Sequence, residues 1–336
     1  MKYFGINIMS KTAVFFLLLF PFGGLTARAD DVNSATCKTQ ILKTSVERKK
    51  AVKIYDVRIE KDVKYLGDSS PLLMDFYRPL GVDAKRLPVI LYMFGGGWLS
   101  GERTDGGRAI SVCRDIAERG YICASIDYTL STPSQGAWPQ AFYECKSAVQ
   151  FLRMHADEYG IDANAIGAIG CSAGGHMAAL LGAAGPEAGL EPNGPYAGVS
   201  SGVQAVVALY GPYKLITLEH TINTAPWGPP PRIVVETFIG ASVQDAPELF
   251  AKASPITHIN GNEPPFLLIH GSEDPAVPVQ QAIDMYKKLR SAGVKSELLI
   301  VKGAGHSFNL QPEQKDLRPV VVDFFDKYLK NKKKGI

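Results

Sequence analysis

Residues 166–180 read IGAIGCSAGGHMAAL, in which a Gly-x-Ser-x-Gly turn around Ser172 separates two apolar runs. The first run predicts a buried strand and the second a helix, so the serine stands at the apex of a strand–turn–helix unit. Such a turn lifts a hydroxyl above a sheet edge, and side chains at Gly170 and Gly174 would clash there. The bare pattern also occurs by chance in loops of a chain with 33 glycines, but the flanking runs favour a nucleophile elbow.

Strands and helices alternate on both sides of this elbow. Antiparallel strands are predicted at residues 52–59 and 72–77, buried strands at 87–93, 121–128, 204–210, 266–269 and 297–301, and helices at 110–119, 141–159, 279–292 and 317–329. Strands that alternate with helices of this length imply a mostly parallel sheet covered by helices on both faces. The sequence therefore predicts an α/β fold.

Residues 213–253 break this alternation, because prolines cluster around Trp227 and an apolar run follows at 234–239. We interpret the segment as an insertion over the sheet, either a cap or a substrate loop. A plain surface excursion is equally compatible with the proline content.

The first 29 residues have the pattern of a signal peptide. Lys2 and Lys11 precede an apolar core at residues 13–22, and Ala-Arg-Ala at 27–29 predicts cleavage near Ala29–Asp30. We therefore expect residues 30–336 to be a single α/β domain that is secreted or periplasmic. The core is too short for a stable membrane anchor, although an uncleaved anchor remains the alternative.

Composition narrows the remaining classes. The chain has 336 residues, is 46% hydrophobic and carries a formal net charge of +3, which is too small to indicate a nucleic-acid partner. The composition does not indicate the oligomeric state. Five cysteines in an oxidising compartment predict one or two disulfides, and the odd count leaves one free thiol, which we assign to Cys171.

A serine hydroxyl needs a base within hydrogen-bond reach, and the base needs an orienting acid. Such groups belong on loops at the carboxyl ends of strands. His306, after the last predicted strand, is the predicted base, and Asp274, after the strand at 266–269, is the predicted acid. Glu273 is a rival for the acid, and Asp274 could instead cap the next helix. We expect His270 to support the Asp274 loop.

A triglycine segment follows the strand at 87–93 and suits an oxyanion hole. Backbone N–H groups of Gly96 and Gly97, with that of Ala173 at the start of the elbow helix, are the predicted donors. A merely flexible glycine loop is the alternative. Trp98 is predicted to line a substrate pocket, and simple core packing is equally compatible.

These motifs together carry a family resemblance. FGGGW at 94–98, GCSAGGH at 170–176 and the loops of Asp274 and His306 occur in the chain order of α/β-hydrolases. The chain resembles the α/β-hydrolase esterases of the hormone-sensitive-lipase type, above all the bacterial feruloyl-esterase and acetylxylan-esterase-like proteins, over residues 70–330. One departure is Phe94, where the family usually has a histidine that supports the loop from behind, so we expect altered loop geometry and substrate preference.

The resemblance implies hydrolysis of carboxylic esters through an acyl-enzyme on Ser172, without a metal ion or organic cofactor. It further implies a small-molecule or polysaccharide-linked ester as substrate, whose acyl and alcohol groups the sequence does not name. An amide or peptide hydrolase of the same fold and a non-catalytic binding protein are the alternatives.

Overall fold

The computed structural model of the chain describes residues 53–104, 108–220 and 229–330. In this part of the chain, eight strands form one sheet in the order β1-β2-β4-β3-β5-β6-β7-β8. The strands are β1 (Val57–Val63), β2 (Met74–Pro79), β3 (Leu87–Met93), β4 (Ile122–Ile126), β5 (Ile161–Cys171), β6 (Ala205–Leu209), β7 (Phe266–Gly271) and β8 (Ser296–Val301). The helices are α1 (Arg108–Ala117), α2 (Gln140–Met154), α3 (Ala173–Ala183), α4 (Pro231–Ile239), α5 (Pro247–Ala253), α6 (Gln280–Ser291) and α7 (Arg318–Phe325).

The sheet is mostly parallel, as the sequence predicts. β1 pairs with β2, and β2 with β4, in antiparallel fashion, whereas the neighbours from β4 through β3 to β8 all pair in parallel. The expected α/β-hydrolase fold is confirmed. Parallel strands place all their carboxyl ends at one edge of the sheet, and the segments that follow these ends contain Ser172, Asp274 and His306.

The central strands are mostly apolar because helices cover both faces of the sheet. All residues of β4 and β6 are buried. Strand β8 lies at one edge of the sheet and exposes Glu297 and Ile300. The core therefore lies around the strands that flank the elbow.

The junction between α2 and β5 differs from the prediction. Helix α2 ends at Met154, not at residue 159, and β5 begins at Ile161, not at residue 166. The chain reverses between them through a turn in which the Ile161 N–H donates to Ala156 O at 2.7 Å. Pairing of Ile161 with Leu87 then draws the start of β5 into the sheet. The apolar periodicity could not reveal this because it continues through the turn.

The insertion at residues 213–253 contains a 3₁₀ turn (Leu215–His220) and the helices α4 and α5. The predicted apolar run at 234–239 lies in α4, which packs against the glycine loop, defined as residues 94–98. This packing is consistent with a cap, and the role of the segment stays an interpretation. Trp227 lies outside the described residues.

The expectation of disulfides is wrong for the described cysteines. Within the described part of the chain, no disulfide joins Cys113, Cys123, Cys145 or Cys171, and these buried side chains fill core space as small apolar groups. Cys37 and the predicted signal peptide lie outside the described residues, so cleavage and secretion stay predictions.

Among the helices that the structure describes, none combines the length and the apolar character needed to cross a membrane.

Candidate active site

Ser172 occupies a strained turn between β5 and α3. Its backbone has φ 53° and ψ −118°, a left-handed conformation that costs free energy in a residue with a side chain. A Cβ atom at Gly170 would lie 2.2 Å from Gly174 O, and one at Gly174 would lie 2.0 Å from Met93 O. The predicted clash is confirmed, and the glycines are what permit the elbow.

The structure brings the predicted serine, histidine and aspartate together. His306 Nε2 lies 2.9 Å from Ser172 Oγ, and His306 Nδ1 lies 2.7 Å from Asp274 Oδ2. The Asp274 side chain is fully buried and that of His306 is 7% exposed. The rival Glu273 is exposed. We call this arrangement of Ser172, His306 and Asp274 the hydrogen-bonded relay.

Hydrogen bonds hold the Asp274 carboxylate in its charged form. Oδ1 accepts the N–H of Ala276 at 2.9 Å and of Val277 at 2.8 Å, so the side chain orders its own loop and does not cap α6. Burial alone would raise the pKa of Asp274, but hydrogen bonds from His270 and His306 lower it well below its usual value. The carboxylate is therefore ionised at neutral pH and can orient the imidazole.

Tyr210 supports the histidine, and the sequence analysis missed it. Its ring lies 4.8 Å from the His306 ring and 4.5 Å from the Phe308 ring, and its hydroxyl donates to Phe308 O. The sequence did contain a hint of this role. Tyr210 is the last residue of the predicted strand at 204–210, and the carboxyl ends of parallel strands lie together at the sheet edge that holds the site.

The glycine loop passes directly beside the serine. A Cβ atom at Gly95 would lie 3.2 Å from Ser172 Cβ. Gly96 O accepts the N–H groups of Leu99 and Ser100, and Gly96 and Gly97 have φ 119° and 63°. Within the described residues, neither Gly96 nor Gly97 donates its N–H to a backbone carbonyl.

Ala173 supplies the third predicted donor. It is the first residue of α3, and the first N–H groups of a helix have no partner within the helix. The three predicted oxyanion donors thus belong to the two segments that flank Ser172.

Trp98 lies in the core and not at an open pocket. It is 2% exposed, stacks on Phe238 of α4 at 4.3 Å and meets the edge of His176 at 5.1 Å. Its surroundings support the packing role that the sequence left open, and direct contact with substrate stays a prediction. Its Nε1 has no hydrogen-bond partner in the described part of the chain.

His176, on the elbow helix, is not placed to act as a base. It is fully buried, and its Nε2 lies 2.7 Å from Ala253 O. Burial lowers the pKa of His176 to about 4, although the hydrogen bond to Ala253 O opposes that shift. The ring is therefore neutral near pH 7 and packs against Trp98.

Aromatic stacking replaces the family histidine at Phe94. The Phe94 ring stacks on Tyr128 at 4.2 Å, and the Tyr128 hydroxyl donates to Phe94 O at 2.8 Å. Arg103, which the sequence analysis missed, ties the segment after the loop to Asp75 and Asp127 at 2.8 Å each. The loop is thus fixed at both ends.

Helix α4 packs against the glycine loop, and the side chains of Val234 and Phe238 on α4 and of Trp98 on the loop form what we call the apolar wall. A Cβ atom at Gly97 would lie 2.9 Å from Val234 Cγ1. Phe238 O accepts the Trp138 N–H at 3.0 Å, which fixes the end of the helix. Val234 therefore lies close to the backbone of Gly97.

A cavity of about 620 Å³ lies elsewhere, between the carboxyl end of α3 and the loops before β6 and β7. Those loops enter the strands at the sheet edge opposite Ser172. The relay lines no part of this cavity, so its size does not limit the substrate.

Sequence comparisons place the chain among esterase-like proteins. Residues 74–289 match the family described as BD-FAE, and residues 247–333 match the one described as TAP-like protein. The chain is 35% identical over 252 residues to Esterase LipC of Mycobacterium tuberculosis, an alignment that covers 73% of this chain and 59% of LipC. The chain thus spans less than two thirds of the length of this relative.

Two solved structures are similar as well. The bifunctional GH43-CE protein of Bacteroides eggerthii has a TM-score of 0.69 and 28% identity, over 83% of this chain and 38% of that one. The propionate-bound esterase Est2 of Thermogutta terrifontis has a TM-score of 0.61 and 26% identity, over 81% of this chain and 92% of that one.

Proposed function

Because the chain belongs to the BD-FAE family and has the α/β-hydrolase fold, we propose that it hydrolyses carboxylic esters through an acyl-enzyme on Ser172. The observation that carries this proposal is the unbroken hydrogen-bond path from Ser172 Oγ through His306 to Asp274, with distances of 2.9 and 2.7 Å. Such a path raises the nucleophilicity of a hydroxyl that is otherwise unreactive at neutral pH.

The proposed mechanism gives each group a role. Asp274 accepts the Nδ1–H of His306, which leaves the Nε2 lone pair facing Ser172. As Oγ attacks the ester carbonyl carbon, Nε2 takes the hydroxyl proton and then protonates the departing alcohol. Water attacks the acyl-enzyme with His306 again as base, and the acid leaves.

The negative oxygen of each tetrahedral intermediate would lie against the N–H groups of Gly96, Gly97 and Ala173. Each such donor contributes about 3 kcal/mol to catalysis in serine hydrolases. Positive φ angles at Gly96 and Gly97, which glycine adopts readily, are consistent with a loop that presents its N–H groups inward.

The proposed substrates are esters of short acyl groups, acetyl foremost, on a small alcohol or on a polysaccharide. Val234 supports a short acyl group because it stands against the predicted donor Gly97. The related Est2 structure holds propionate, and the sequence resembles acetylxylan and feruloyl esterases. The predicted signal peptide would deliver the protein to such substrates outside the cytoplasm.

The test is turnover of p-nitrophenyl acetate by the purified protein. Ser172→Ala should abolish it to near the uncatalysed rate, while Ser291→Ala, at a serine on the surface of α6, should leave it unchanged. Acetyl, feruloyl and longer-chain esters would rank the acyl groups.

Three results would contradict the proposal. A folded wild-type protein without ester turnover would do so, as would faster cleavage of the matched nitroanilide, which indicates an amidase. A fluorophosphonate probe that fails to label Ser172 would favour a non-catalytic binding protein.

A further inference from the structure

His270 is a buried histidine that the proposed mechanism does not use. It lies one residue before the end of β7, is 0% exposed and precedes Asp274 by four residues. Its Nε2 lies 2.8 Å from Val277 O and 3.2 Å from Asp274 Oδ2. It therefore touches both ends of the loop that presents the acid.

The contact to Val277 fixes the protonation of this nitrogen. A backbone carbonyl can only accept a hydrogen bond, so Nε2 of His270 must carry the proton. The same N–H is shared with Asp274 Oδ2, which is also the oxygen that accepts the His306 Nδ1–H. His270 Nδ1 has no partner among the described residues, so this ring is held through Nε2.

The Asp274 carboxylate thus meets four donors. Oδ1 takes the two backbone N–H groups of Ala276 and Val277, and Oδ2 takes His306 and His270. Three of these donors come from the chain around Asp274 itself and leave the carboxylate no freedom to rotate. The carboxylate therefore accepts the fourth donor, His306 Nδ1–H, at a fixed position and angle.

We propose that His270 is a positioning residue of the relay, which locks the Asp274 carboxylate through its Nε2–H and moderates the pull of that carboxylate on His306. The inference rests on the proposed function for its kinetic consequences. The titratable groups that face Asp274 and His306 are His270 on β7, Ser172 after β5 and Tyr210 after β6.

The kinetic test replaces the ring by one of similar volume without a donor. His270→Phe should lower kcat/KM for p-nitrophenyl acetate about tenfold, since a hydrogen bond to a charged group is lost. KM should stay unchanged because His270 does not face the substrate. His270→Gln returns an N–H at about the position of Nε2 and should recover part of the loss. The matched control is His258→Phe, because the ring of His258 lies at the surface, where its Nε2 contacts Lys252 O.

The pH profile separates positioning from plain structural damage. Without the His270 donor, more of the negative charge on Asp274 acts on His306 and favours its protonated form. The acidic limb of kcat/KM in His270→Phe should therefore move to higher pH. Wild-type kcat/KM in His270→Phe overturns the proposal, and so does an equal loss in the Phe and Gln variants with an unmoved limb.

A measurement on the wild-type protein decides the inference without activity or variants. In ¹⁵N spectra of protein labelled at histidine, His270 should carry its proton on Nε2, and a proton on Nδ1 alone overturns the proposal. Absence of ester turnover would contradict the proposed function, whereas the His270 spectrum would still test this assignment.

Discussion

The hydrogen-bonded relay and the apolar wall are held by different forces. Asp274 and His306 are fixed by directed bonds of 2.7 to 2.9 Å, whereas Trp98 and Phe238 are fixed by ring stacking at 4.3 Å. Hydrogen bonds fail when one atom changes, because they depend on angle and distance. Dispersion is spread over many weak contacts, so substitutions in the apolar wall should change stability and activity gradually.

The largest effect should come from the relay. Asp274→Asn keeps the shape but turns the orienting oxygen into an amide that cannot hold the correct tautomer of His306. We expect kcat to fall about 10⁴-fold in nitrophenyl acetate assays, with the fold intact by circular dichroism. Glu273→Gln, next to it and exposed, should stay within about twofold of wild type. Equal losses in both variants would contradict the assignment of the acid.

Truncation of the apolar wall should act on stability first. Phe238→Ala removes a fully buried ring and its stack on Trp98, which should cost about 4 kcal/mol of unfolding free energy in urea titrations. Phe324→Ala, on α7 and 3% exposed, should cost a similar amount.

The two phenylalanine variants should differ in kinetics. Because Trp98 belongs to the glycine loop, Phe238→Ala should also change the relative rates for acetate and butyrate esters, whereas Phe324→Ala should not. A Phe238→Ala protein as stable as wild type would show that the stack carries little free energy.

His176 is the polar group packed against the apolar wall, and it should make stability depend on pH. Its pKa falls from 6.5 to about 4 on burial, so the unfolded chain binds more protons between these values. Stability should be complete above pH 6.5 and fall by about 3 kcal/mol as the pH drops toward 4.

The matched variant His176→Gln keeps a donor for Ala253 O but does not titrate. Its unfolding free energy, measured in urea at pH 7 and 4.5, should fall less than that of wild type. His258→Gln, a histidine whose bond lies at the surface, should follow wild type. Parallel pH curves for His176→Gln and wild type would contradict a buried, neutral His176.

The smallest effect should come from Val234. Val234→Ala removes two methyl groups beside Gly97 and should raise the butyrate-to-acetate ratio of kcat/KM about fivefold, near the lower limit for small apolar changes in a pocket. Ile233→Ala, on the same helix and 50% exposed, is the control. An unchanged ratio in Val234→Ala would place the acyl chain away from α4.

The relay could be predicted because its chemistry demands particular residue types at strand ends. Ser172 lies between small residues, and Asp274 and His306 each follow a predicted strand. The parallel arrangement of these strands places the three residues at one edge of the sheet. The apolar wall could not be predicted in the same way. Phe238 and Val234 lie in an insertion that interrupts the alternation of strands and helices, so the sequence pattern did not predict that this segment packs near Trp98.

Cysteine counting failed for a related reason. The number of thiols and a predicted oxidising compartment suggested disulfides, but pairing requires two sulfur atoms at a narrow separation. Whether Cys113, Cys123, Cys145 and Cys171 can pair depends on where the strands and helices place their side chains, and no disulfide joins these four cysteines. Tyr210 and Arg103 escaped notice because their roles consist of contacts with residues distant in sequence.

The sequence by itself determined the α/β fold, the elbow at Ser172 and the identity of its two partners, because apolar periodicity and rare reactive residue types are local properties of a chain. Only the tertiary structure decided that Trp98 packs in the core, that α4 stands over the glycine loop and that His270 shares an oxygen with His306. Those facts depend on which surfaces meet after the sheet has formed, and no local pattern encodes the meeting of segments that lie far apart in the chain.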